Sequence, residues 1–488
     1  MINTKSRTGQ AFWLGIGSLV SFSFGIVSAA ILSRVLSIEE YGTYRQVLYV
    51  YSTLLVVFTL GLPRAYAFFL ARLPIEQGRK TVDKINSIFI VLGFIFSVVL
   101  FFGSNIIGSV LKNPSLPSCI RYFSLTPVFL LPVLGIESVL ATYKQTVYST
   151  IYIILSRLFN LVCIVLPVII FKGGANMAVV GFTVSSAICC AIGLFIERRP
   201  FKEITSEKSQ LSINEVLKYS FPLLLASLWA IVINSAPQFF ISRWFGTEAF
   251  AEFANGFIEL PFAGMIIGAV ATVLLPEISR LAKDGTNVDK VLAIWRSSFE
   301  KSAKIIYPIA IFACIFSPQI IGLLYGSKYD GAIVYFQIVV IINILRVVPY
   351  GPVMMGLNMV KQYAIANIVP AICVLIFDIF WVSFFKEVIG IALIQCIVIF
   401  IHIVMMCVYI SHKVKISIYQ MIPFDIILRI IIGSFSCALV AYYISNVINT
   451  NSFVTLLVGG SIYLVLFTIT SIVLKLSYID ILKPLIKK

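Results

Sequence analysis

A chain of 488 residues that is 60% hydrophobic, only 12% charged and +16 in formal net charge is excluded from the ordinary soluble classes. Its two histidines and nine cysteines offer little metal or redox chemistry, and the cysteines, with no C-x-x-C pair, read as small core-filling residues. No Gly-Lys dipeptide occurs, so a Walker A loop is absent and ATP hydrolysis by this chain is not expected.

Lys5 and Arg7 precede an apolar stretch over 9–33, too long for a signal-peptide core and without a cleavage site, which predicts a retained first helix. Apolar stretches then follow one another with short loops. About fourteen of them approach or exceed the roughly 20 residues needed to cross a bilayer. The windows are 9–35, 46–71, 86–111, 119–143, 147–171, 176–196, 218–244, 252–277, 302–325, 331–357, 362–385, 388–411, 421–447 and 452–475. The expected fold class is an all-α integral membrane protein.

The longest connection, 197–214, is polar and charged, and the sequence on either side of it repeats. Ser33-Arg34, Glu39 and Tyr41 after the first helix recur as Ser242-Arg243, Glu248 and Phe250 after the seventh, at an offset of 209. Val82-Asp83-Lys84 recurs as Val288-Asp289-Lys290. Lys144-Gln145 recurs as Lys361-Gln362, with Pro132 and Pro349 each twelve residues upstream. The reading is two six-helix lobes, 1–205 and 206–415, followed by helices thirteen and fourteen and a basic tail over 416–488. Six helices is an even number, so both copies enter the membrane from the same side, the parallel-repeat plan of some transporters.

Alternate loops differ in charge. One set holds Arg79, Lys80, Lys84, Arg198, Arg199, Lys202, Arg280, Lys361, Lys413 and Lys415, with Lys475, Lys483, Lys487 and Lys488 in the tail; the other holds far fewer, such as Lys112, Lys172 and Lys386. The positive-inside bias places both termini in the cytoplasm, and no nucleic acid is needed to explain the basic excess. Prolines such as Pro167, Pro222, Pro308, Pro349 and Pro370 interrupt the spans, as packing kinks or as hinges for alternating access.

The informative residues are charges placed where charge is costly: Arg64, Glu137, Arg157, Glu259, Arg346, Asp378, Asp425 and Arg429. Arg157 lies about ten residues into the fifth helix beside Ser156, with Asn160 one turn on; Arg346 is expected near the middle of the tenth, one turn after Asn343. Counted from the Lys-Gln pairs, Asp378 and Arg157 would sit one turn apart on equivalent helices. A basic half could then face an acidic half, or Asp378 could pair with Arg346. Glu259, expected on the eighth helix, is a candidate proton or cation site or the partner of a neighbouring arginine. Asp425 and Arg429, four residues apart, suggest a local ion pair. His402 reads as a satisfied core residue. No paired carboxylates, Ser-His-Asp set or HExxH motif appears, and no sizeable outside loop exists, so the chain is not expected to be an enzyme.

The run Ser33-Arg34-Val35-Leu36-Ser37-Ile38-Glu39-Glu40-Tyr41-Gly42-Thr43-Tyr44 resembles the signature that follows the first helix of Wzx-type polysaccharide flippases, members of the MOP superfamily with the MATE exporters and lipid II flippases. Gly61-Leu62-Pro63-Arg64, Pro276-Glu277-Ile278-Ser279-Arg280 and Leu324-Tyr325-Gly326-Ser327-Lys328-Tyr329 support the likeness. The resemblance implies a bacterial inner-membrane carrier of undecaprenyl-pyrophosphate-linked oligosaccharides for surface polysaccharide such as O-antigen, with a polymerase and assembly proteins as possible partners. It implies no cofactor beyond H+ or Na+ as a possible coupling ion. It also implies a cationic cavity, for which Arg64, Arg157 and Arg346 are the candidates by position, with Glu259 and Asp378 as candidate ion-coupling residues. The alternatives are another cargo on the same architecture, lipid II or an amphipathic cation. The first helix carries no carboxylate from 9 to 33, which weighs against a cationic cargo.

Overall fold

A computed structural model describes residues 7–202, 204–283, 288–448 and 451–478. Lys5, Lys483, Lys487 and Lys488 of the charge argument lie outside them. Among the described residues, all regular structure is helical: α1 (Arg7–Val35), α2 (Ile38–Thr59), α3 (Pro63–Leu70), α4 (Ile75–Val110), α5 (Leu116–Phe123), α6 (Thr126–Leu130), α7 (Ile136–Thr142), α8 (Thr146–Ile170), α9 (Ala175–Glu197), α10 (Ile213–Gly256), α11 (Pro261–Lys283), α12 (Val288–Ile315), α13 (Ser317–Tyr325), α14 (Ala332–Leu345), α15 (Tyr350–Gly356), α16 (Val360–Phe384), α17 (Val388–Val414), α18 (Ile418–Met421), α19 (Phe424–Ile448) and α20 (Ser452–Val473). Eleven helical segments are long and apolar enough to cross a membrane, thirteen if each of two bent pairs counts as one span. The expected eighth window corresponds to α11, whose apolar stretch Phe262–Ala271 is shorter than a full span.

The chain divides into two compact units, Met1–Ala251 and Glu252–Lys488. In the first, α1 packs on α8 and α8 on α9, while α4 covers α5 and α6. Pro167 inside α8 removes the donor that would serve the Cys163 carbonyl, and Gly181 of α9 lies against that oxygen, where a Cβ would collide. The connection after α9 is docked along the start of α4: the Glu207 N–H donates to the Glu76 carbonyl (2.9 Å), and Thr81 Oγ1 meets Ser209 Oγ (2.9 Å).

The signature run after α1 has a packing explanation. Ser37 caps α2, accepting from the Glu40 N–H while Glu40 accepts from the Ser37 N–H, a reciprocal capping box. Tyr41 is fully buried, and Gly42 lies against the Thr247 carbonyl at a distance only a residue without Cβ permits. Beyond them Asn113 Nδ2 donates to Thr43 Oγ1 (2.9 Å) and Gln46 Oε1 (2.6 Å), and Gln46 Nε2 donates to Ser242 Oγ (2.7 Å). Arg243 Nη1 donates to the Val110 carbonyl at the end of α4 (2.5 Å), organising that turn.

In the second unit α12 packs on α14 and α19, α16 on α17, and α19 on α20. The expected Asp425–Arg429 pair is absent; packing of α12 on α19 instead brings Arg296 to Asp425 at 3.9 Å. The repeat register also changes. α7 and α15 are both 7 residues long, α8 and α16 both 25, and each later helix begins 214 residues after its counterpart (136 to 350, 146 to 360). Lys144 therefore matches Asn358, not Lys361, and both residues adopt positive φ (56° and 57°) in equivalent turns. Asp378 and Arg157 then lie seven residues out of register, two turns or ~10 Å of helix, and not one turn.

Candidate functional site

The first unit holds a half-open cavity of about 360 Å3 with one polar wall among otherwise apolar helices. α8 supplies its polar wall because Tyr152, Ser156, Arg157 and Asn160 recur at helical spacing on one face. Ser18 and Ser21 of α1, Tyr51 of α2 and Glu137 of the short α7 complete it. Glu137 reaches the cavity because the chain breaks between the turn Leu131–Val133 and α7, where Gly135 leaves room for the Tyr66 ring.

Arg157 forms no salt bridge among the described residues, although Glu137 shares its cavity and lies within electrostatic range. Ser156 Oγ and Asn160 Oδ1 are buried there without hydrogen-bond partners among the described residues. A guanidinium with open donors beside an unspent Ser156 hydroxyl can hold an oxyanion through charge-assisted hydrogen bonds, while the Asn160 Oδ1, an acceptor, suits a donor such as a sugar hydroxyl.

Arg346 stands differently. The sequence places it in mid-helix, but α14 ends at Leu345; Arg346 leaves the helix (φ −90°, ψ 53°) ahead of Pro349, which caps α15. Glu259 likewise lies in the non-helical 257–260 segment before Pro261, not within a helix. The two broken ends bring Arg346 Nη1 to 3.2 Å from Glu259 Oε1. Prolines cause both breaks: each lacks an N–H and disfavours helical backbone in the residue before it. Arg64 sits in the first turn of α3 with an exposed side chain, outside the Arg157 cavity. The three arginines are therefore not gathered in one pocket within either unit.

Asp378 on α16 is fully buried, and neither carboxylate oxygen has a hydrogen-bond partner among the described residues. It does not pair with Arg346. On the neighbouring α17, Gln395 Oε1 and His402 Nε2 are also buried without partners, so His402 is not the satisfied core residue its surroundings suggested. A buried, unspent carboxylate is costly unless it holds a proton or a cation. No three metal-ligating side chains gather among the described residues.

One buried acid escapes the sequence pattern. Glu197 ends α9 and reads as the start of the polar connection, yet it is 1% exposed. Asn86 Nδ2 donates to its Oε2 (2.6 Å), and Tyr66 donates to Asn86 Oδ1. Asn86, a lone amide at the beginning of an apolar window, was the available signal.

Residues 31–334 match the model of a family described as "Polysaccharide biosynthesis protein". The chain belongs to that family. Among its relatives is "Lipopolysaccharide biosynthesis protein WzxC" of Escherichia coli (strain K12), 21% identical over 367 residues, covering 73% of this chain and 70% of that protein. "Succinoglycan biosynthesis transport protein ExoT" of Rhizobium meliloti (strain 1021) is 22% identical over 341 residues, 68% of this chain and 65% of that one. In fold the chain is similar to "Lipid II flippase MurJ, inward closed conformation", with a TM-score of 0.69, 14% identity, and coverage of 94% of this chain and 98% of that one. The family member is thus a multi-pass membrane protein, and its fold is similar to that of the solved flippase.

Proposed function

We propose that this family member is a flippase that carries undecaprenyl-pyrophosphate-linked oligosaccharide repeat units from the cytoplasmic to the outer leaflet by alternating access. The observation that carries the reading is the Arg157 cavity, where a guanidinium shares a pocket with Glu137 yet forms no salt bridge among the described residues. A diphosphate cannot enter hydrocarbon with its hydration shell; a guanidinium and a neighbouring hydroxyl donate in place of that shell. The prenyl tail stays in lipid while the head passes. In this reading Arg157 is the principal anion contact, Arg64 and Arg346 are secondary contacts, and the chain makes or breaks no covalent bond.

Glu259 and Asp378 are the proposed ion-coupling groups. Glu259 holds Arg346 when ionised and would release it when neutralised; Asp378 has two unspent oxygens for a proton or Na+. Both termini are assigned to the cytoplasm of a bacterial inner membrane from the loop charges, and the polymerase and assembly proteins are partners by the same reading.

Translocation of a fluorescent lipid-linked oligosaccharide in proteoliposomes tests the proposal. Wild type should move the label across the bilayer and Arg157→Ala should not, while both remain folded. Equal transport by the two, or transport of lipid II alone, overturns it.

A further inference from the structure

A second cavity, of about 550 Å3, lies at the end of the first unit where α9 finishes and α4 and α8 begin. Its chemistry is two-faced. One wall is cationic, with Arg79 of α4 and Arg198, Arg199 and Lys202 at and beyond the end of α9. The other is apolar, with Leu194 and with Phe195, which is 83% exposed. The inner side is fixed, because Leu194 and Ile196 pack on the Val133–Ile136–Leu140 cluster.

The cations are held in place but not neutralised. The Arg199 guanidinium lies 3.7 Å over the Tyr148 ring and its Nη2 donates to the Tyr148 hydroxyl (2.5 Å), which fixes it in place and leaves its other donors for an anion. Arg198 meets Asp83 at 3.2 Å, with both side chains partly exposed. Arg79, Arg199 and Lys202 have no carboxylate partner among the described residues, and Glu197 is engaged with Asn86. Four positive charges therefore face one acid. At 23 residues α9 rises about 34 Å, so its last turn stands near the level of lipid headgroups.

We propose that this pocket binds the phosphate headgroup of an anionic phospholipid, with Arg79, Arg199 and Lys202 gripping the phosphate and an acyl chain lying along Phe195 and Leu194. A free anion would leave the apolar wall wet, and a lipid without net negative charge would leave the cations unmatched; only an anionic lipid phosphate satisfies both. The site is distinct from the Arg157 cavity and does not depend on which cargo is carried.

The test is native mass spectrometry of the detergent-purified full-length protein titrated with phosphatidylglycerol, phosphatidylcholine or glycerol 3-phosphate. Phosphatidylglycerol should be retained preferentially, and Arg199→Gln/Lys202→Gln should weaken its binding by about tenfold or more. Phe195→Ser should weaken lipid binding in wild-type cation background, whereas Lys413→Gln/Lys415→Gln, which changes charge elsewhere, should not. Arg157→Ala should bind as wild type does, which separates this site from the transport reading. Equal retention of phosphatidylcholine, effective competition by glycerol 3-phosphate, or unchanged binding by the Arg199/Lys202 variant with a wild-type helical spectrum each overturns the proposal.

Discussion

Arg157 and Arg346 are the same residue type in similarly apolar surroundings, yet their situations are opposite. Arg157 lies on an unbroken helix, faces a cavity and forms no salt bridge among the described residues; Arg346 sits at a helix break and is bound to Glu259. The difference teaches that a charge inside an apolar span is informative only together with what lies opposite it. A guanidinium already matched by a carboxylate has to be released before it can serve an anion, whereas one without a fixed partner is available at once.

The comparison can be broken most directly at Arg157. Arg157→Ala should lower translocation by a hundredfold or more and Arg157→Lys by about tenfold, because a point charge lacks the planar fork that grips a phosphate. Near-normal rates in proteoliposomes with Arg157→Ala would erase the distinction. Arg346→Ala should cost about tenfold, and Glu259→Gln a similar amount. Because the two groups form one pair, the double variant should be no worse than either single one; strictly additive losses would show that they act apart.

A smaller effect is expected at Asp378. Asp378→Asn removes an ionisable group with no partner among the described residues, so the thermal unfolding midpoint in detergent should hold or rise while dependence on pH or Na+ flattens. A lower midpoint with unchanged ion dependence would make it structural. Smallest for transport is Asn113→Ala, which strands Thr43 and Gln46 in the packed signature region. Its expected cost is about 1–3 kcal/mol of stability with unaltered cargo preference.

Much of this was legible in the sequence. Apolar length alone marks the spans except the eighth window, whose α11 stretch falls short of a full crossing, and the duplication shows in Ser33-Arg34 and Ser242-Arg243. Register was not, because a short Lys-Gln match recurs by chance within three residues of the true turn; the positive-φ residues Lys144 and Asn358 fix it, and backbone geometry does not show in composition. The breaks at Arg346 and Glu259 were half visible, as Pro349 and Pro261 announced them. What pairs with what was not legible: a partner 87 positions away is a property of packing, which is also why Asp425 finds Arg296 and not its own helix neighbour. The flippase signature itself proved to be capping and close packing, so it reports kinship more than cargo.

Pro308 shows how the last helices are joined to the body of the second unit. The proline removes the amide that would have bonded the Lys304 carbonyl, and the Tyr478 hydroxyl takes its place at 3.2 Å. The Lys304 amine returns the favour at the Ser477 carbonyl (3.1 Å), and Tyr463 fastens the Pro308 carbonyl (2.8 Å). The segment after α20 is thereby clipped to α12 within one turn of its proline, and any movement of α12 there must tug on it. A dye placed at position 478 would read the flexing of α12 as a strain gauge reads a beam.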